Sequence, residues 1–171
     1  MLDGGNARLK DQLGLLRQYF DEAGLEAHWV EPSQDIPIPV VLLPLMKDHR
    51  QRDRFLHFSF VPLDEEDLEA IDLLQIYTTV PVEWAEGTRE QVEKLLPAIN
   101  GSLAIGHFNV TGDEVTYRYV YSVPANRELQ STEALSVIRL FEMMLNMFAE
   151  AVDDVASGRS SYAQVMSDIS G

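Results

Sequence analysis

Four of the thirteen basic residues of this 171-residue chain lie within eight consecutive positions, residues 47–54. They are Lys47, Arg50, Arg52 and Arg54. Ammonium and guanidinium groups bind carboxylates and phosphates through charge-assisted hydrogen bonds, so the segment predicts a contact to an anion or an acidic peptide. The alternative is a solvated loop tip between two strands, whose charges discourage pairing of sheet edges.

The other titratable residues indicate no reaction. His57 and His107 fall on predicted strands and could meet across a sheet, but no third ligand lies at metal-binding spacing. Acidic pairs such as Asp153-Asp154 are typical of solvated faces. No phosphate-binding glycine loop and no HExxH or GxSxG pattern occurs. We therefore predict no catalytic residue, no metal and no cofactor, and an acidic hydrolase or isomerase is the least favoured class.

Three tyrosines, Tyr117, Tyr119 and Tyr121, alternate along one predicted strand. Aromatic residues on a sheet face can stack the bases of single-stranded nucleic acid. Such a platform needs interleaved basic residues, and only Arg118 is near, on the opposite face. The pattern favours core packing under a helix.

Residues 131–156 predict a long helix with two apolar seams, each repeating at alternating spacings of three and four. The first seam comprises Ala134, Ile138, Phe141, Leu145, Phe148, Val152 and Val155. The second comprises Val137, Leu140, Met144, Met147 and Ala151. Together they cover about half of the helix circumference, whereas an ordinary surface helix buries a stripe about 100° wide. The methionines could fill the core or serve a surface that repacks against varied partners.

The composition limits the partners. With 28 acidic and 13 basic residues the net charge is −15, which argues against binding of duplex nucleic acid, since lysine and arginine supply that affinity. An acidic surface favours solubility or a basic protein partner. The chain has no cysteine, an N-terminus without an apolar signal, and no apolar stretch long enough to span a bilayer. These features predict a cytoplasmic protein that does not enter the membrane.

The remaining elements follow from periodicity and turn residues. We predict a first helix at residues 7–23 ended by Gly24, and then strands at 26–31, 36–46, 54–62 and 72–82, with an acidic segment at 64–70. Because Pro37, Pro39 and Pro44 cannot donate to a ladder, the strand at 36–46 should lie at a sheet edge or be interrupted.

The second half of the chain is assigned from the same signals. Residues 88–99 predict a helix with Thr88 and Gln91 as a capping box. Residues 103–110 and 115–123 predict a hairpin around Gly112. Strands without βαβ crossovers indicate the α+β class, an antiparallel β-sheet with helices packed on one side. We expect one α+β domain over residues 1–171, with a core at about 7–157 and a polar tail at 158–171.

Three short motifs carry a resemblance to a known family: Ile99-Asn100-Gly101-Ser102-Leu103, Gly106-His107-Phe108 and Glu114-Val115-Thr116-Tyr117-Arg118-Tyr119. In these motifs and in its element order the chain resembles the bacterial YbjN-like family and the type III secretion chaperone-like fold. The local pattern covers about residues 88–155. The resemblance implies a dimer-forming, non-catalytic, regulatory protein-binding fold, with no catalytic residues to carry over. In the secretion chaperones the partner is a largely unfolded protein segment.

Our first hypothesis is a chaperone-like or regulatory adaptor that acts as a homodimer and binds another protein, partly unfolded or basic. We expect the second seam in the dimer interface, with the solvent-side face of the sheet as the alternative, because monomers rarely expose large apolar patches. The alternative function is a small-molecule sensor with a pocket between the sheet and the C-terminal helix.

Overall fold

The structure is a computed structural model that describes residues 3–63 and 70–170. Its elements, in chain order, are α1 (Asp3–Glu22), β1 (His28–Val30), β2 (Val40–Pro44), β3 (Phe55–Phe60), β4 (Ile71–Val80), α2 (Arg89–Asn100), β5 (His107–Thr111), β6 (Glu114–Pro124), α3 (Ser131–Ala156) and α4 (Tyr162–Ser170). The strands form a six-stranded antiparallel sheet in the order β1-β2-β3-β4-β6-β5. The predicted α+β class is confirmed. The predicted acidic segment lies, apart from residue 70, outside the described residues.

The chain divides into two compact units. The first comprises Met1–Leu45, Phe55–Tyr77 and Val120–Arg139, and the second comprises Met46–Arg54, Thr78–Tyr119 and Leu140–Gly171. The described residues contain no helix that is both long enough and apolar enough to cross a membrane.

In the first unit, α1 packs its apolar stripe on β2 and β3. Phe20 is fully buried and its ring lies 5.1 Å from that of Phe58. The helix ends as predicted at Gly24, where φ is +76° and the Leu25 amide donates to the Phe20 carbonyl at 2.8 Å. This hydrogen bond is the 6→1 bond of a Schellman cap, which favours glycine because of its left-handed backbone.

The proline-rich strand of the first unit lies inside the sheet rather than at its edge. β2 pairs with β1 on one side and with β3 on the other, so the edge placement was wrong. The strand is also shorter than predicted, because it begins only at Val40 and ends at Pro44. Pro37 and Pro39 precede the ladder and Pro44 closes it, where the missing N–H costs least.

In the second unit, α2 packs on β5 and on α4. The Asn100 side chain donates to the Phe108 carbonyl at 2.9 Å and accepts from the Phe108 amide at 2.7 Å. The Tyr117 hydroxyl donates to the Ile105 carbonyl at 2.6 Å and passes close to Gly106. The motifs that carried the family resemblance are therefore the residues that attach β5 to its neighbours.

The predicted capping box of α2 does not form. The Thr88 hydroxyl donates to the carbonyls of Ala85 and of Ala156 at the end of α3, and makes no bond to its own helix. The Gln91 side chain accepts from the amide of Tyr162 at the start of α4. Both side chains satisfy the ends of other helices, where unpaired backbone groups also need partners.

Most of the residues predicted as a polar tail form α4. Ser161 and Gln164 make a reciprocal capping box, in which the Ser161 amide donates to the Gln164 side chain and the Gln164 amide donates to the Ser161 hydroxyl. Val165 is buried. The segment is therefore an ordered helix of the second unit.

Candidate interaction surface

The first apolar seam of α3 is fully used inside the protein. All seven of its residues are buried: Ala134, Ile138, Phe141, Leu145, Phe148, Val152 and Val155. Phe141 contacts Tyr117 with ring centroids 4.7 Å apart. The periodicity therefore identified the buried face of α3 correctly.

The second seam is only partly covered. Met144 is 5% exposed and belongs to the core, because its position on the helix adjoins the first seam. Val137, Leu140 and Ala151 are half-buried, and Met147 is 53% exposed. Met143, one turn before Met147, is 55% exposed.

We call Leu140, Met143, Met147 and Ala151 the methionine face of α3. Met143 and Met147 lie one turn apart, so their exposed side chains form one contiguous patch rather than two scattered apolar residues, and contiguous patches mark binding surfaces. Arg139 and Glu150 are exposed at its two ends. Neither has an ion-pair partner among the described residues.

The four basic residues predicted to bind an anion all have intramolecular partners. Lys47 pairs with Asp53 at 2.9 Å and Arg50 with Glu83 at 2.9 Å. Arg52 pairs with Asp48 and Asp153. Arg54 donates to the Met46 carbonyl and to the Asn146 side chain. The anion contact stays a prediction, but these partners would compete with any ligand.

Asp153 is the centre of this ion-pair network. Its carboxylate is fully buried and accepts hydrogen bonds from Arg159 at 2.7 Å and from Arg52 at 2.8 Å. The His49 ring nitrogen lies 3.3 Å from the same oxygen. The Glu83 amide donates to its second oxygen at 3.2 Å. A buried carboxylate is stable only when paired and hydrogen-bonded in this way.

Asp48 is the second acceptor of the same loop. Burial alone would raise the pKa of Asp48, but hydrogen bonds from Arg52 and from the Arg50 amide lower it below its usual value. The Asp48 carboxylate therefore stays ionised and fixes the loop backbone through the amides of Arg50 and Arg52.

A histidine and two carboxylates of this network have metal-ligand chemistry. His49, Asp153 and Asp154 hold ligand atoms within 4.8 Å of one another. However, Arg159 donates to both carboxylates, at 2.7 Å each, and Arg52 donates to Asp153. A divalent cation would have to displace two guanidinium groups, so these residues fit an ion-pair network better than a metal site.

His57, the other histidine considered as a metal ligand from the sequence, stacks on Tyr77 with ring centroids 4.5 Å apart.

The tyrosine series divides between two environments. Tyr117 is fully buried, contacts Phe108 at 4.8 Å, and has a pKa raised to about 12 by burial. Tyr121 is half-buried and its hydroxyl donates to Glu133. The Arg127 side chain also donates to Glu133, and these bonds lower the pKa of Glu133 to about 2. The buried Tyr117 is a core residue, as predicted.

The first unit also contains an open polar cleft of about 520 Å³ between α1 and residues 125–128. Its walls carry Arg8, Asp11, Gln12, Arg127 and Glu128. Arg8 is held by two bonds to Asp72, at 2.5 and 2.7 Å. The cleft does not lie at the position predicted for a ligand pocket, between the sheet and the C-terminal helix.

These features define an α+β protein with a partly uncovered helix face. The chain belongs to the YbjN family, whose family model matches residues 12–154 and is described as "Putative bacterial sensory transduction regulator". The family prediction is confirmed, and with it a regulatory role in general terms.

Among solved structures, the chain is similar to one described as the crystal structure of YbjN, a "putative transcription regulator from E. coli". The two share 17% sequence identity over 80% of this chain and 87% of that chain, with a TM-score of 0.46. No curated protein matches the chain.

Proposed function

We propose that this protein is a non-catalytic regulatory adaptor that acts as a homodimer through the methionine face of α3 and binds a further protein. The exposure of Met143 and Met147 on an otherwise well-packed helix carries the proposal. Burial of a fully exposed methionine contributes about 1.5–3 kcal/mol, so covering each of these half-exposed side chains would contribute roughly half of that and favour association.

The chemistry of methionine suits such a contact. Its unbranched side chain and polarizable sulfur adapt to the shape of a partner without a preformed pocket. A two-fold dimer would bury the same patch on both copies and is the commonest form of soluble assembly. The net charge of −15 favours a further partner that carries basic residues.

The experiment is light scattering at tens of micromolar protein on the wild type and on the double variant Met143→Glu with Met147→Glu. Because both side chains are more than half exposed, the variant should fold, which circular dichroism would check. Burying two unpaired carboxylates in an interface is costly, so we expect a monomer.

The control is Ile169→Glu, which introduces one carboxylate at an apolar residue of α4 that is 37% exposed. It should remain dimeric. A wild type that is monomeric, or a folded double variant that stays dimeric, would contradict the proposal.

A second candidate, a small-molecule sensor, is supported by the cleft beside α1. Its volume lies within the range of ligand sites, and its lining offers both guanidinium and carboxylate groups. A thermal-shift screen with amino acids and organic acids tests it. A hit should be lost in Asn126→Trp, which would fill the cleft from an exposed position.

A further inference from the structure

The exposed stripe of α3 has charges and apolar residues arranged symmetrically about its middle. Arg139 lies near one end and Glu150 near the other, and Met143 and Met147 lie between them. The midpoints of Arg139–Glu150, Met143–Met147 and Leu140–Ala151 fall at positions 144.5, 145 and 145.5 of the chain. A two-fold axis that crosses the helix near position 145 would therefore exchange the heights of the two members of each pair.

The pairs also match around the helix circumference. Arg139 and Glu150 are eleven residues apart, about three full turns, so they lie within about 20° of each other on one flank of the methionines. By the same spacing Leu140 and Ala151 share the opposite flank. In an antiparallel pair with a perpendicular two-fold axis, equal flanks of the two helices face each other.

From this arrangement we infer that the occupant of the methionine face is the α3 helix of a second copy, packed antiparallel with its two-fold axis near position 145. The inference rests on the proposed homodimer and specifies its geometry. Each Met143 would contact the partner's Met147, each Leu140 would pack against the partner's Ala151, and two Arg139–Glu150 ion pairs would form.

The charges favour this orientation over the parallel one. In a parallel pair with its two-fold axis along the helices, opposite flanks face each other, so the charged flank would meet the partner's apolar flank and no charge pair would form. The antiparallel pair instead brings each Arg139 beside the partner's Glu150, and these opposite charges favour association. Arg139 and Glu150 are available for it, since both are exposed and neither has an ion-pair partner within the described part of the chain.

Charge reversal tests the pairing. Arg139→Glu alone and Glu150→Arg alone each create two like-charge contacts, so each should raise the dimer dissociation constant by about tenfold or more. The double variant Arg139→Glu with Glu150→Arg restores opposite charges and should return to within about threefold of the wild type. Glu86→Arg, the same charge change as Glu150→Arg on an exposed loop residue, is the control and should have no effect. Analytical ultracentrifugation measures all five proteins.

Cysteine crosslinking tests the direction of the helices, and no native thiol can react because the chain has no cysteine. In the antiparallel pair, Met143→Cys lies about 6 Å along the axis from its mate, and Thr132→Cys lies about 40 Å from its mate. Facing helices keep the two Cα atoms slightly beyond disulfide range, so a short bismaleimide is the crosslinker, and it should link the first variant into covalent dimers and leave the second unlinked. Both positions are exposed.

The outcomes separate the two proposals. A monomeric wild type overturns both the homodimer and its geometry. A dimeric wild type overturns the geometry alone if single charge reversals do not weaken it, if the double variant is no tighter than the singles, or if Thr132→Cys crosslinks. The antiparallel pair is supported if each single charge reversal weakens the dimer, the double reversal restores it, and Met143→Cys crosslinks while Thr132→Cys does not.

Discussion

The Arg52 guanidinium lies 2.8 Å from the buried carboxylate of Asp153, and this contact ties residues 46–54 to the last turn of α3. The same carboxylate also accepts a hydrogen bond from Arg159 at 2.7 Å. Removing that carboxylate leaves guanidinium groups without their principal acceptor.

We therefore predict that Asp153→Asn lowers the free energy of unfolding by about 2–4 kcal/mol, near the cost of breaking a buried pair, because Arg52 keeps Asp48 as a partner. Urea unfolding followed by circular dichroism measures it. Asp154→Asn is the control: its side chain is 28% exposed and has one ion pair, so the loss should stay within about 1 kcal/mol. Equal effects of the two variants would contradict the central position of Asp153.

A second prediction concerns Gly106, where an added side chain would meet two obstacles: a left-handed backbone and a close contact with Tyr117. Its φ is +70°, and an added Cβ would lie 2.5 Å from the Tyr117 hydroxyl. Gly106→Ala should therefore cost the left-handed strain of about 1–2 kcal/mol plus the loss of the Tyr117–Ile105 hydrogen bond, about 1 kcal/mol or more. Thermal unfolding would show the change.

Gly112→Ala is the matched control for this prediction. Gly112 has a φ of +59° but open space around its Cβ position, so it should show only the strain. If Gly112→Ala destabilises as much as Gly106→Ala, the contact with Tyr117 contributes nothing.

Glu133 predicts a pH dependence. Hydrogen bonds from Arg127 and then from Tyr121 lower its pKa from 4.5 to about 2. A carboxyl with a lowered folded-state pKa contributes stability above the unfolded pKa and loses it as the pH falls toward the folded one. The stability difference between the wild type and Glu133→Gln should therefore be constant above about pH 5 and shrink between pH 4.5 and 2. Urea midpoints across that range test this, and a difference that does not change with pH would contradict it.

Sequence periodicity located the buried side of α3, but not the exposure of each residue beside it. Met144 and Met147 belong to one predicted seam, yet one is buried and the other is half exposed, because the neighbouring elements cover the helix unevenly. A helical wheel contains no information about those neighbours. The sequence likewise offered no sign that Asp153 would be buried, since an acidic pair at a helix end is ordinarily solvated.

Local capping signals were informative only in part. Thr88 and Gln91 have the capping-box spacing but bind other helices, whereas Ser161 and Gln164 have the same spacing and form the box. The second pair could have predicted α4, but the polar composition of residues 158–171 obscured it. Tertiary hydrogen bonds decided between two identical local patterns.

The Asn100 side chain bears on the risk of aggregation. β5 is an edge of the sheet, and unpaired edge groups are templates for adding strands from other molecules. The Asn100 amide occupies both the N–H and the carbonyl of Phe108 on that edge, as a neighbouring strand would. An incoming strand would have to displace it first. Asn100→Ala should therefore leave the Phe108 N–H and carbonyl free to pair with a strand of another molecule. We expect faster formation of thioflavin-T-positive fibrils on prolonged incubation.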